Sequence, residues 1–403
     1  MAGYPSEASA SIARLAADRR VHQAFQWMHL QEPRILEWQT QLVGIPAPPF
    51  GEGPRAEWLC ARLRELELQD VCIDSAGNVL ATRRGAGQGK QVLLSAHIDT
   101  IFPAATPVAP ALRGSRLAAP GACDNGAGVA AMMAVAAAMR HAGIAAARDI
   151  VFAGNVGEEG EGDLRGMRRL YGERADRVEA HVVLDGAGDA SAVTQALGSQ
   201  RWRVTVRGPG GHAWTDAGRP NPIAILSRAI HRFSGVTLPD APRTTVNVGT
   251  IAGGTAINAI PESAAASFDL RSTEREQLIR LEVELHRAVE DAALAAAQGQ
   301  RPETMGLRWS VEKIGDRPAG RLAADAKLLE LLRAVDRHLG IRTELRVAST
   351  DANIPLSLGV PAVSLGAGGT AGGIHTHAEW YDARGRESAL KRILLLVLAA
   401  CGA

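Results

Sequence analysis

Residues 91–100 read QVLLSAHIDT, an apolar run without a charge that ends in histidine and aspartate. A continuous apolar run of this length, closed by polar residues, predicts a strand buried within an α/β sheet. The form recurs twice: DIVFAGNVGEEG at 149–160 ends in Glu158 and Glu159, and AHVVLDGAG at 180–188 carries Asp185 at its end. Between the first two runs, the Ala-rich stretch over 126–142 predicts a helix. Strands alternating with helices give an α/β layout, and in open sheets of that kind ligands gather at the carboxyl ends of the strands. His97, Asp99, Glu158, Glu159 and Asp185 all fall at such ends.

Upstream, RAEWLCARLRELEL at 55–68 has helical spacing, and VCIDSAGNVLATRRG at 71–85 alternates into two short strands around Ser75 to Asn78. The first apolar spacing in MAGYPSEASASIARLAADRR predicts an amphipathic helix. From about Gly198 the pattern changes to strand RWRVTVRG, helix PIAILSRAIHRF, strands TTVNVGTIAG and ESAAASFDLRS, a long helix from Glu274, and strand LRWSVEKI. That βαββαβ order is ferredoxin-like. The α/β pattern then resumes with a helix around Ala324 to Leu339, strands TELRVA and AVSLGAG, and a last helix from Glu387 to Cys401. The expectation is an α/β catalytic domain with a mixed sheet, residues 1–197 and 313–403, interrupted by a ferredoxin-like domain at 198–312. GAGGTAGG at 366–373 reads as a loop, since no GK[ST] follows to make a phosphate cradle.

The 403 residues carry 44 Lys and Arg against 43 Asp and Glu, a net charge of +1. That balance lacks the basic footprint of a nucleic-acid binder and points to small-molecule partners. Cys60, Cys72, Cys123 and Cys401 form no CxxC pair, which argues against a disulfide scaffold or a structural zinc site and for a reducing compartment. The N-terminus lacks a basic segment followed by an apolar one, so a cytoplasmic protein is expected. The most apolar stretch, Val129 to Ala138, falls short of the ~20 residues a membrane span needs.

His97, Asp99, Asp124, Glu158, Glu159, Asp185 and His375 offer oxygen and imidazole donors for two divalent ions sharing a carboxylate. Such a pair polarises an amide carbonyl and stabilises the charge that develops on its oxygen. The adjacent Glu158 and Glu159 diverge at a strand end, so one can bind metal while the other moves protons. Among rivals, a serine hydrolase is excluded by the absence of any GxSxG, and Cys123 is explained as a small apolar neighbour of Asp124. A nonenzymatic binding protein on the same fold would be expected to lose a ligand or the base, and every position here is filled.

Read together, HIDT at 97–100, GACDNGAG at 121–128, GNVGEEG at 154–160, Asp185 in VVLDG, GGHA at 210–213 and IHTHAEW at 374–380 resemble the dizinc amidohydrolases that include carboxypeptidase G, peptidase T, aminoacylase, acetylornithine deacetylase and succinyl-diaminopimelate desuccinylase. The resemblance implies that His97 and Asp185 bind one zinc, Glu159 and His375 the other, and that Asp124 bridges them. Glu158 becomes the general base, and Asp99 sits behind His97 to orient it. Spacing alone does not choose between His375 and His377. The family's ligand is followed four residues later by a Glu, here Glu379, which selects His375.

His212 matches the histidine that in the family reaches from the inserted domain of one subunit into its dimer partner's active site, so a homodimer through that domain is implied. Asn258 and Arg271 match substrate contacts, and an Arg fork suits a carboxylate. Zinc is the expected metal, with cobalt and manganese open, since oxygen-rich sites accept several. TDAN at 350–353 and GHAWTDAGRPNP at 211–222 resemble the peptidase T side of the family, so a di- or tripeptidase is expected, with an N-acyl amino acid deacylase as the alternative.

Overall fold

In the computed structural model, which describes residues 7–402, the three buried runs lie side by side. Strand Gln91–His97 pairs in parallel with Ile150–Asn155 on one side and Val178–Leu184 on the other. Ala362–Leu365 extends the parallel array beyond Val178–Leu184. Hairpin strands Gln69–Ile73 and Val79–Arg83 add antiparallel pairs at one end, and at the other Ser191–Ala196 pairs with both Glu344–Ala348 and the short strand Gly320–Arg321. The sheet is therefore mixed. Its strand ends are aligned by register: His97 stands opposite Asn155, three residues before Glu158, and Leu365 opposite Leu184, one residue before Asp185.

Helix Gly126–His141 is buried at every position from Gly126 to Met139. Its composition explains how: a helix apolar all round and rich in small alanines can be enclosed by the sheet, the C-terminal helix Arg386–Cys401 and two N-terminal helices, Arg19–Leu30 and Glu32–Val43. Asn125 caps it, its Oδ1 accepting the Gly128 N–H at 3.1 Å. A small second sheet joins Ala111–Arg113, Arg116–Ala118, Trp380–Asp382 and Thr370–Gly372. Trp380 stands opposite Ala118 in it, which brings the chain just before Trp380 beside the loop that carries Asp124. The last of these strands lies within GAGGTAGG, so that stretch is part strand rather than loop throughout.

Leu197–Gly320 forms a separate compact unit. Four antiparallel strands lie in the order Thr244–Gly253, Ser263–Ser272, Gly198–Arg207, Arg308–Arg317. Helices Pro222–Ser234 and Arg275–Ala296 pack on the sheet, where Trp202, Val204, Phe233, Phe268, Leu281 and Leu285 make a core of their own. Strand Ser263–Ser272 alternates between buried and half-buried positions along its whole length, as a sheet covered on one face requires. The element order is the βαββαβ read from the sequence. Its end is later than the expected 312, because the last strand stays paired with Gly198–Arg207 as far as Arg317 opposite Ser199. Among the described residues, no helix is long and apolar enough to cross a membrane.

Candidate metal centre

The sharp turn after strand Ile150–Asn155 begins at Gly157, whose φ of +64° suits glycine, and where a Cβ would come within 2.7 Å of the Arg165 side chain. Glu158 and Glu159 follow, 5% and 7% exposed. Asp99 fixes them. One carboxylate oxygen accepts the Glu158 N–H at 3.0 Å and the other the Glu159 N–H at 2.8 Å. The same residue orients His97, but mainly through its backbone: the Asp99 carbonyl lies 3.2 Å from His97 Nδ1, against 3.6 Å for the carboxylate. Nδ1 thus carries the proton, and the lone pair of Nε2 is left for the site.

His97 Nε2 stands 3.0 Å from Asp124 Oδ1 and 3.9 Å from Asp185 Oδ1. On the other side of Asp124, His375 Nε2 lies 3.0 Å from both Asp124 Oδ2 and Glu159 Oε1. The five side chains make two triads, His97–Asp124–Asp185 and Asp124–Glu159–His375, each with donor atoms within 4.8 Å of one another and with Asp124 common to both. His375 adopts a left-handed backbone conformation, φ +64°, which a non-glycine residue holds only when its surroundings over-determine it. His377 belongs to neither triad; its ring packs against Phe102 at 5.6 Å.

The electrostatics of this cluster call for cations. Burial works to raise the Asp124 carboxyl, but His375 and His97 outweigh it and hold it below the ordinary range. Glu159 is pushed up to about 8 by burial and by the neighbouring Asp124 and Glu158. The bond to Asp124 raises His375 to about 9. Asp124 Oδ1 is buried without a hydrogen bond although His97 Nε2 is close, the relation of two donors aimed at a common point between them. Three carboxylates and two imidazoles, one carboxylate shared, fit a pair of divalent ions.

Two acids outside the expected set shape the site. Glu379, 1% exposed, accepts the N–H groups of Gly121, Cys123 and Asp124 at 2.9, 2.7 and 3.0 Å and so holds the loop bearing the shared carboxylate. Asp351, fully buried, bonds Asn155 at the end of the strand that leads to Glu158. Beneath Asp99, the buried Arg55 donates to the carbonyls of Ile98 and Ile45. Burial drives its guanidinium down to about 10, with Asp99 opposing. Cys123 is buried and its thiol is pushed up by burial first and then by Asp124 and Glu379, so it is no thiolate.

His212, Asn258 and Arg271 belong to the second unit. Gly211, φ +146°, precedes His212, and a Cβ there would lie 2.7 Å from Asp216. Asp216 accepts the His212 N–H at 2.8 Å, and His212 Nδ1 receives the Trp214 N–H at 3.2 Å. With Nδ1 an acceptor, the exposed Nε2 carries the proton. The Asn258 carbonyl accepts the Ala213 N–H at 2.9 Å, tying the two loops together. Arg271, half-exposed on its strand, bonds Asp269 through Nε at 2.7 Å.

A mixed α/β sheet interrupted by a βαββαβ unit, with two acid-rich triads drawn from its strand ends and neighbouring loops, suits metal-dependent hydrolysis of an amide. Residues 93–400 match Peptidase family M20/M25/M40, and the chain belongs to that family, whose members are dimetal-dependent hydrolases of amide bonds. The Bacillus subtilis protein YqjE is 25% identical over 355 residues, covering 84% of this chain and 91% of its own. A putative succinyl-diaminopimelate desuccinylase, DapE of Mycobacterium tuberculosis, is 25% identical over 340 residues, covering 83% and 89%. A tripeptidase from Staphylococcus aureus shares the fold with a TM-score of 0.75 at 23% identity, covering 92% of this chain and 99% of that one. The aminopeptidase PepT of Bacillus cereus does so with a TM-score of 0.73 at 21% identity and the same coverage.

Proposed function

We propose that this chain hydrolyses the amide bond of a small peptide, as a di- or tripeptidase, with two divalent ions held by His97 and Asp185, by Glu159 and His375, and by Asp124 between them. The observation that carries the reading is the convergence of those five side chains into two triads sharing one carboxylate, with a further acid, the buried Glu158, alongside. Bound there, zinc, cobalt or manganese would supply Lewis acidity toward the scissile carbonyl and a water. Glu158 takes the proton of the attacking water and delivers it to the leaving amine nitrogen. Asp99 bonds both backbones and so fixes the turn from which the Glu158 and Glu159 side chains leave.

His212 donates from Nε2 to the carbonyl oxygen as it becomes negative, where one such donor is typically worth ~100 to 1,000-fold in turnover. Asn258 and Arg271 contact the substrate, Arg271 at a carboxylate. The inserted domain joins two subunits, so His212 serves its partner's site. A cytoplasmic setting is supported by four free thiols. The second reading, hydrolysis of an N-acyl amino acid, draws on the desuccinylase relatives. A panel of unblocked peptides and N-acyl amino acids separates the two readings.

The general-base assignment is tested by Glu158→Gln and Glu159→Gln. The first should lose ~100 to 10,000-fold in kcat with metal content unchanged. The second should lower metal occupancy. Equal metal loss in both, or full turnover in Glu158→Gln, would sink the assignment.

A further inference from the structure

TDAN at 350–353 contains a buried acid for which the mechanism above has no use. Asp351 is 0% exposed. Its Oδ2 accepts a 2.7 Å hydrogen bond from Asn155 Nδ2, while its Oδ1 is buried without one. The turn that presents it is braced on itself: Asn353 Oδ1 accepts the Thr350 N–H at 2.9 Å, and Thr350 Oγ1 the Ala352 N–H at 3.1 Å. Asn155 is where this brace meets the site. It ends strand Ile150–Asn155, stands opposite His97, and accepts the Ile98 N–H at 2.8 Å. Three and four residues later come Glu158 and Glu159.

The charged groups facing Asp351 are Glu158, His97 and Asp99. Burial, then Glu158 and Asp99, raise its carboxyl well above the ordinary range, with His97 and the Asn155 bond opposing. What the geometry gives the position is a buried acceptor held at 2.7 Å from Asn155 Nδ2.

We propose that Asp351 is a positioning residue for the base, pinning Asn155 through its hydrogen bond and with it the strand end from which Glu158 and Glu159 turn. The proposal rests on the reading of Glu158 as base. A residue that merely filled space would change the fraction folded and leave the turnover of folded enzyme alone.

The test uses full-length, metal-loaded protein and whichever of trialanine and N-acetylalanine is turned over. Asp351→Ala and Asn155→Ala should each lower kcat about 10- to 100-fold, with KM within about threefold and metal per chain unchanged. The double variant should be no worse than either single one, because both cut the same contact. Asp351→Asn keeps the acceptor and should retain kcat within about threefold. Wild-type kcat in Asp351→Ala overturns the proposal. So does an Asp351→Asn variant as impaired as Asp351→Ala, or additive losses in the double variant. If Asp351→Ala does not fold, Asn155→Ala and Asp351→Asn still decide it: unchanged kcat in the former, or lost kcat in the latter, overturns it. Glu158→Gln measured in parallel keeps the two readings apart. Full turnover there refutes Glu158 as base and the positioning role with it, whereas lost turnover in Glu158→Gln beside wild-type kcat in Asp351→Ala overturns the positioning role alone.

Discussion

Glu379 commits both carboxylate oxygens to backbone N–H groups of Gly121, Cys123 and Asp124, and Asp99 does the same for Glu158 and Glu159. Neither belongs to a triad; each fixes a loop that carries triad residues and so helps set the spacing of donor atoms on separate loops. The chemistry of Glu379 makes a sharp expectation. Glutamine has one acceptor oxygen and would turn an N–H donor toward the backbone donors, so Glu379→Gln should weaken zinc binding about 10- to 100-fold. Titration of the apo protein with zinc checks this, and wild-type affinity would show that the loop holds itself. In the sequence Glu379 served only to choose His375 over His377. Its contacts reach back more than 250 residues to backbone atoms, which have no residue identity to read. Glu158, Glu159 and Asp185 stood out in the sequence because they close apolar runs, where a charge has no packing motive, whereas Asp124 lies in the glycine-rich GACDNGAG and took its expected role from the family resemblance.

At the scale of elements, the apolar runs and the Ala-rich helix were legible for the same reason, and so was the βαββαβ order. The helices Arg19–Leu30, Glu32–Val43 and Arg165–Arg174 and the small sheet beside Glu379 were not. Arg19–Leu30 and Arg165–Arg174 bury a narrow stripe among charges, and the small sheet's strands are three residues each, too short for a period to emerge. One contact joins three elements invisibly. His181 on Val178–Leu184 bonds Ser95 on the neighbouring strand at 2.8 Å and Tyr171 on helix Arg165–Arg174 at 2.9 Å. Burial drives this imidazole down to about 3. A histidine with a depressed folded value stabilises fully above its unfolded value near 6.5 and loses that contribution as pH falls toward the folded one. Its share of stability should fall by about 1.4 kcal/mol per pH unit below 6.5. Urea denaturation at pH 8 and pH 5 checks it: His181→Gln keeps a donor and an acceptor but cannot titrate, so its loss between the two should be smaller. An equal loss would place the pH dependence elsewhere.

At the scale of the whole molecule the remaining question is whether one chain makes a complete site. Strand Thr244–Gly253 lies at the edge of its sheet among the described residues, has no charged side chain, and is exposed along its second half. An open, uncharged edge of ten residues is a liability unless something pairs with it, and a second copy is the simplest partner. His212 lies in the same unit, its Nδ1 engaged by the Trp214 N–H and its Nε2 left as an outward donor. If that donor serves the partner's metal centre, His212→Ala and Glu158→Gln are each nearly inactive yet damage different halves of the composite site. Mixed under conditions that let subunits exchange, they should form heterodimers in which one site has the intact base from one chain and the intact histidine from the other. Up to about half the subunits would then be in such dimers, each with one working site of two, so activity near one quarter of wild type is the ceiling. The control mixes either variant with itself and should stay inactive. Bound metal should be unchanged throughout, because neither residue belongs to a triad. Recovery that rises with exchange time supports action across the interface, whereas a histidine serving its own chain leaves every site in the mixture lacking one group, and the mixture stays at the level of its parents.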